Sequence, residues 1–236
     1  MDSAKVMVIT GTSRGVGRGM AEYFVGRGFI VAGCSRGDST LAGLTGYYHS
    51  SLDVCDEQQV RKWARTVKGQ HGRIDVLVCN AGVVKLGAVT GMTSLAMFQE
   101  FLNGILTSTF LACREFSKLM VLQRFGRIIN VSSIMTELHA PGTGAYAPAK
   151  SAVVEFTKVL ARELIDTGVT CNVISPSLVL TDASIAFGEE WKEKMLAMQT
   201  LQRPIEVRDL CNIVEFFAAP ASFCVTGQVI HTCLVN

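Results

Sequence analysis

The feature that most constrains this chain is an alternation kept from end to end: short, continuously apolar runs separated by longer segments whose apolar residues recur at helical spacing. Residues 5–10, 29–34, 74–79, 127–132, 170–175 and 229–232 read as strands. Residues 17–26, 57–69, 94–122, 146–166 and 207–217 read as helices, the third segment being long enough for two. A strand apolar on both sides must be covered on both faces, and strands joined through helices run parallel. The expected fold class is α/β, a single doubly wound parallel sheet with helices on both faces. No linker, repeat or low-complexity tract interrupts the pattern, so residues 1–236 read as one domain. Residues 181–204 stand apart, being amphipathic (Ile185, Phe187, Trp191, Met195, Leu196, Met198) yet part of no strand–helix unit. They follow the carboxyl end of a strand, where ligands bind in open α/β sheets, so a substrate lid is expected there, with a plain surface helix pair as the alternative.

Composition narrows the function classes. With 49% hydrophobic and 18% charged residues the chain is globular, and a net charge of +2 with scattered Lys and Arg argues against a nucleic-acid surface. The eight cysteines include no C-x-x-C pair and mostly sit in apolar runs, as buried small hydrophobes do in a reducing compartment. The four histidines show no metal-ligand spacing, so no metal is expected. After Met1 to Lys5 the chain passes straight into a strand, and no apolar stretch reaches the ~18 residues of a membrane span. A cytoplasmic protein with no membrane partner is the expectation.

Between the first strand and the first helix lies Thr10-Gly11-Thr12-Ser13-Arg14-Gly15-Val16-Gly17. Gly11, Gly15 and Gly17 allow a tight turn and close approach to a pyrophosphate, while the helix N-terminus offers unpaired N–H groups. In this context the loop reads as a dinucleotide-binding turn of a Rossmann fold. The second strand ends in Cys34-Ser35-Arg36, with no acid before Asp38 to bind a ribose 2′-hydroxyl. Arg36 and Arg14 can instead meet a 2′-phosphate through charge-assisted bonds, so NADP(H) is the expected cofactor.

Tyr146 and Lys150 are four apart in a helical segment, on one face, with Ser133 upstream. A cation beside a phenol favours the phenolate and brings the tyrosine pKa of roughly 10 towards neutrality, while Ser133 can bond a substrate oxygen. His139, beside Glu137 and Leu138, lies in the intervening loop, where an exposed histidine or a substrate contact is the choice.

With the glycine loop, Asp53-Val54, Cys79-Asn80-Ala81-Gly82, Ser133 and Tyr146 to Lys150 in order, the chain resembles the short-chain dehydrogenase/reductases from Lys5 to about His231. The resemblance implies that Asp53 and Val54 lie near an adenine, that Asn80, Ala81 and Gly82 line the cofactor, and that Val179 and Thr181 contact its nicotinamide end. It implies Tyr146 as acid/base, Lys150 as both ribose ligand and tuner of Tyr146, and Ser133 as the residue orienting a carbonyl. It also implies a homodimer or homotetramer through the apolar faces of 106–122 and 153–164.

Four departures stand out: Cys79 opens the Asn80 motif in place of a second asparagine, Ser177 follows Pro176 in place of glycine, and His231-Thr232-Cys233-Leu234-Val235-Asn236 replaces an Asp-Gly-Gly ending. The fourth is Ile105, which stands where the resemblance expects a proton-relay asparagine; Asn103, two residues away and so about 200° around a helix, points elsewhere unless the helix is irregular. The leading reading is an NADPH-dependent reductase of a ketone or 3-oxoacyl carbonyl, reversibly an alcohol dehydrogenase. The alternatives are altered chemistry on the same scaffold (dehydration, isomerisation or double-bond reduction), motivated by Ile105, and a non-catalytic NADP-binding regulatory protein.

Overall fold

A computed structural model describes residues 4–85 and 87–235; Met1 to Ser3 and Asn236 lie outside the described residues. Among these are seven strands, β1 (Val6–Thr10), β2 (Ile30–Ser35), β3 (Tyr47–Ser51), β4 (Val76–Cys79), β5 (Gly126–Val131), β6 (Val169–Ser175) and β7 (Val229–His231). They form one sheet in the order β3-β2-β1-β4-β5-β6-β7, with every pairing parallel. All residues of β1, β4, β5 and β6 are buried, which is why apolar residues dominate these strands even though β5 holds Arg127 and Asn130 and β6 holds Asn172.

The helices are α1 (Gly15–Gly26), α2 (Glu57–His71), α3 (Leu95–Leu102), α4 (Ser108–Leu122), α5 (Met135–Leu138), α6 (Tyr146–Glu163), α7 (Asp182–Ile185), α8 (Glu189–Ala197) and α9 (Val207–Ala218). Helix α2 starts where the Asp56 carboxylate accepts from the Gln58 and Gln59 N–H groups and stops at Gly72, whose φ of 73° a side chain would resist. One core layer joins Trp63 of α2 and Phe116 of α4, edge to face at 5.2 Å, to one side of the sheet. On the other side Met20 and Phe24 of α1 pack with Leu210, Val214 and Phe217 of α9.

Three differences from the sequence reading have physical causes. Strand β3, Tyr-Tyr-His-Ser-Ser, is absent from it because an edge strand pairs on one side only and needs no continuous apolar run. The segment 94–122 is broken by a π-helical turn, Asn103–Thr107, between α3 and α4. There the Ser108 hydroxyl donates to the carbonyls of Gly104 (2.8 Å) and Ile105 (3.2 Å), and the Thr109 hydroxyl donates to Ile105 O (2.7 Å), holding carbonyls that a widened turn releases. Much of the apolar surface of 106–122 and 153–164 packs inward: Leu111, Phe116, Met120, Val153 and Leu160 are buried, leaving Phe110, Leu122 and Val159 exposed.

The sheet order reverses between β1 and β4, which opens a crevice at their carboxyl ends. Every residue singled out for chemistry lies at that end of the sheet.

Candidate active site

The glycine loop crosses the crevice from the end of β1. Gly11 and Gly15 take φ of 77° and 57°, and Gly17 is packed so closely that a β-carbon there would lie 2.2 Å from Gly11 O and 2.3 Å from Asn80 Nδ2. Asn80 at the end of β4 braces this turn: its Nδ2 donates to Thr10 O at 3.0 Å and Gly11 O at 3.3 Å. The Asn80 and Ala81 N–H groups in turn donate to Thr10 Oγ1, at 3.0 and 2.9 Å. Thr10 is thus a bracing residue that the sequence reading did not single out.

Helix α1 begins with no side-chain cap on Arg14 and no acid in its first turn, so the donors of its first residues, Val16 among them, are left for an anion. Arg14 and Arg36 are exposed, and neither forms an ion pair among the described residues. Asp53 and Val54 follow β3, where Leu52 N–H donates to Ser35 O at 2.9 Å and brings them beside the end of β2. The Asp53 carboxylate is engaged with the Cys55 N–H at 2.9 Å. Beyond β6, Val179 is buried and bridges to Ile205, and Thr181 caps α7. A β-carbon on Gly15 would lie 3.5 Å from Thr181 Cγ2, so the two ends of the crevice close towards each other. Free donors at a helix start, two unpaired guanidiniums and glycines with backbone rather than open space around them fit a dinucleotide phosphate.

Ser133 leaves the ladder just after β5, and Tyr146 opens α6, with Pro148 in the first turn where a missing N–H costs nothing. The Ser133 hydroxyl receives the Met135 N–H at 3.3 Å and lies near enough to the Tyr146 phenol to favour its charged form. Burial pushes the Tyr146 pKa up and the Ser133 bond opposes it. This corrects the expectation of a lowered phenol: the Lys150 ammonium, 5.9 Å from the ring centre, donates to Val131 O at 2.7 Å instead. Lys150 is itself buried, and the loss of solvent lowers its pKa from 10.5 to about 8.

A stability prediction follows for the protein without cofactor. A lysine pKa lowered from 10.5 to about 8 corresponds to about 3 kcal/mol of penalty for the buried ammonium. That penalty is fully present below pH 8 and is relieved as pH rises to the ordinary lysine value, because over this window only the unfolded chain holds the proton. Lys150→Met removes the penalty and forfeits the bond to Val131 O, so it is expected to raise unfolding stability at pH 7 by about 1–2 kcal/mol. Urea titrations from pH 7 to 10 check this: the gain shrinks as pH rises.

The departures take definite places. Ile105 is buried against Phe101, Ala145, Ala149 and Val153, and a β-carbon on Gly82 would lie 3.8 Å from both Ile105 Cγ1 and Lys150 Nζ. The helix is irregular here, yet Asn103 faces solvent and does not take over. Ser177 is buried without a positive φ, so the glycine it replaces is not needed for backbone freedom. Cys79 is buried with its sulfur 3.8 Å from that of Cys113. His231 Nε2 stands 4.0 Å from Glu137, while His139 is exposed at the left-handed end of α5. Residues 181–204 hold α7 and α8, whose Trp191, Met195 and Leu196 pack on Met135, Ala140 and Leu178 beside the Ser133–Tyr146 segment. No group of metal-binding side chains occurs among the described residues, and no described helix is long and apolar enough to cross a membrane.

The comparisons agree with this geometry. A family model described as enoyl-(acyl carrier protein) reductase matches residues 11–233. The 3-oxoacyl-[acyl-carrier-protein] reductase FabG of Vibrio harveyi is 31% identical over 232 residues, 96% of this chain and 95% of that protein. Among solved structures, ElxO with NADP bound superposes with a TM-score of 0.90 at 26% identity, covering 97% of this chain and 96% of that one. An actinorhodin polyketide ketoreductase variant with NADPH has the same TM-score and identity, covering 98% and 96%. A sheet with this switch point, a glycine turn braced by Asn80 and a Ser133–Tyr146–Lys150 cluster, matched along almost its whole length by these proteins, place the chain in the short-chain dehydrogenase/reductase family.

Proposed function

We propose that the protein is an NADPH-dependent oxidoreductase that reduces a ketone or 3-oxoacyl carbonyl to the alcohol. The observation that carries this reading is Ser133 beside the Tyr146 phenol with buried Lys150 on the same helix face, at the switch point of the sheet. Ser13, Gly15, Val16 and Gly17 would take the pyrophosphate on backbone donors, Gly11, whose own N–H is held by Cys34 O, would give it room, and Arg14 and Arg36 would meet the 2′-phosphate. Asp53 and Val54 flank the adenine end; Asn80, Ala81 and Gly82 line the middle; Lys150, Val179 and Thr181 hold the nicotinamide end. When bound, NADPH supplies the hydride.

The chain's own part is to position the carbonyl and supply a proton. Met135 N–H occupies a lone pair of Ser133 Oγ, so the Ser133 proton, which faces Tyr146 in the free protein, would turn to the substrate oxygen, where negative charge develops. Burial keeps the Tyr146 phenol protonated near neutrality, the state a general acid needs in the reducing direction. Tyr146 then gives its proton to the same oxygen. Lys150 holds a positive charge beneath the pair, fixed by Val131 O. Around this site we read the described residues as one domain, with 181–204 as its lid.

The test is consumption of NADPH with a panel of ketones, 3-oxoacyl thioesters and 2-enoyl thioesters. Carbonyl turnover is the expected result; turnover of the enoyl compounds alone favours altered chemistry, whose motivating observation is buried Ile105. Arg14→Ala and Arg36→Ala are each expected to raise the KM for NADPH about tenfold and to leave that for NADH within about twofold, because a charge-assisted bond contributes roughly 1.5–3 kcal/mol. The eight cysteines are all free, in keeping with a reducing, cytoplasmic location. Exposed Phe110 and Val159, with Phe110 edge-on to Phe156 at 5.8 Å, support pairing of α4 and α6 in a homodimer or homotetramer. Sedimentation of Phe110→Glu against the parent checks this, with a shift to smaller species expected.

A further inference from the structure

Gly37 follows Arg36 in the turn beyond β2, and its carbonyl oxygen is approached by three side chains: Ser35 Oγ at 2.8 Å, His49 Nε2 at 2.9 Å and Ser51 Oγ at 3.4 Å. A carbonyl only accepts, so His49 Nε2 carries its proton there. The other nitrogen of the neutral ring, Nδ1, is then an acceptor, and it lies 2.9 Å from the Tyr47 hydroxyl, which must donate to it. The Tyr47 oxygen is left to accept, and Thr12 Oγ1 stands 2.7 Å away as donor, its other near contact being Cys34 O at 3.4 Å. The bonds run in one direction, Thr12 to Tyr47 to His49 to Gly37 O, with each proton position fixed by the next acceptor. Thr12 lies in the glycine loop and Gly37 in the turn that carries Arg36, so the chain of bonds ties the two phosphate-facing segments through β3.

The surroundings are built to hold it. Thr12 and Tyr47 are buried, and the His49 ring stacks on Tyr47 at 6.0 Å with 26° between planes. A β-carbon on Gly33 would lie 2.4 Å from the Tyr47 hydroxyl and 2.5 Å from Thr12 Oγ1, so β2 carries a glycine where any side chain would sever the bond. By contrast Arg36 is exposed and forms no ion pair among the described residues, so its position rests on the backbone of its turn. An arginine that starts from an unfixed turn must be ordered on binding, and a pre-ordered turn removes that cost.

We infer that Tyr47 and His49 are positioning residues for cofactor selection: through Thr12 and Gly37 they hold the Arg36 turn where the guanidinium meets the 2′-phosphate of NADPH. This rests on the reading of Arg36 as a 2′-phosphate ligand. Neither residue touches the reacting atoms, so their loss acts on NADPH affinity and leaves the chemical step alone. NADH has no 2′-phosphate and draws nothing from the turn.

The experiment is steady-state kinetics with NADPH and with NADH for the parent, Tyr47→Phe, His49→Phe, the double variant and Arg36→Ala. Tyr47→Phe and His49→Phe keep a ring in place and remove the hydrogen bonds. Each is expected to raise the KM for NADPH five- to twentyfold, with kcat and the KM for NADH within twofold of the parent. The double variant is expected to be no worse than either single one, because each already breaks the same chain. An equal loss with both cofactors, or a fall in kcat, marks a purely structural role and overturns the proposal. If Arg36→Ala raises the NADPH KM while the β3 variants do not, the positioning role fails and the Arg36 reading stands. If Arg36→Ala leaves the NADPH KM unchanged, the Arg36 reading fails, and this proposal with it.

Discussion

Tyr146→Phe is expected to lower kcat for carbonyl reduction by about 10²–10⁴-fold while leaving NADPH binding within about threefold of the parent. The ring stays where it is, edge-on to Phe101 at 6.0 Å, so the first turn of α6 and the placement of Lys150 are kept. What is lost is the phenolic hydroxyl, the proposed proton donor, and its interaction with Ser133. Stability changes little, since a single hydrogen bond contributes about 1 kcal/mol net and the ring loses no packing. Stopped-flow measurement of hydride transfer beside a fluorescence titration with NADPH separates the two quantities. A fall of less than about tenfold in the transfer rate contradicts Tyr146 as proton donor and shifts the weight to chemistry that needs no phenolic acid.

Gly17→Ala is the second large effect, and it strikes the fold and the cofactor site together. The added β-carbon has nowhere to go: Gly11 O is 2.2 Å away and Asn80 Nδ2 2.3 Å, and both belong to the brace that holds the phosphate turn. Gly11 O is backbone, and Asn80 is pinned by a second bond to Thr10 O, so neither yields without breaking the link between β1 and β4. The helix itself would welcome alanine, which favours it by about 1 kcal/mol over glycine, but overpacking of this kind costs about 3 kcal/mol or more. Urea denaturation should show that net loss, and NADPH binding should fall at least a hundredfold because the turn can no longer close. Gly26→Ala in the same helix is the control: no atom lies within 4 Å of its β-carbon position, so stability there should be unchanged or higher.

These expectations draw on two levels of information. Sequence alone determined the parallel sheet, because strands buried on both faces must be mostly apolar; β1 and β4 are nearly so throughout, and β5 and β6 are so apart from Arg127, Asn130, Thr170, Asn172 and Ser175. It also determined that Gly11 and Gly15 turn with positive φ and that Tyr146 and Lys150 share a helix, since local spacing carries both features. Edge strand β3 was out of reach, and with it Tyr47 and His49, because a half-paired polar strand has no pattern that distinguishes it from a loop. The π turn was equally hidden, as it depends on hydroxyls of Ser108 and Thr109 meeting carbonyls one turn back.

The largest reversal concerns electrostatics. Proximity of Lys150 to Tyr146 along the helix is a local fact, and by itself it favours the phenolate. Which effect wins depends on how much water remains around both groups, and that is set by Phe101, Ile105 and the sheet, brought from distant parts of the chain. Only the tertiary structure removes that water, raising the phenol's pKa and lowering the ammonium's. Identity and spacing of the proposed reacting groups are written in the chain, whereas their protonation belongs to the surroundings that long-range packing builds around them.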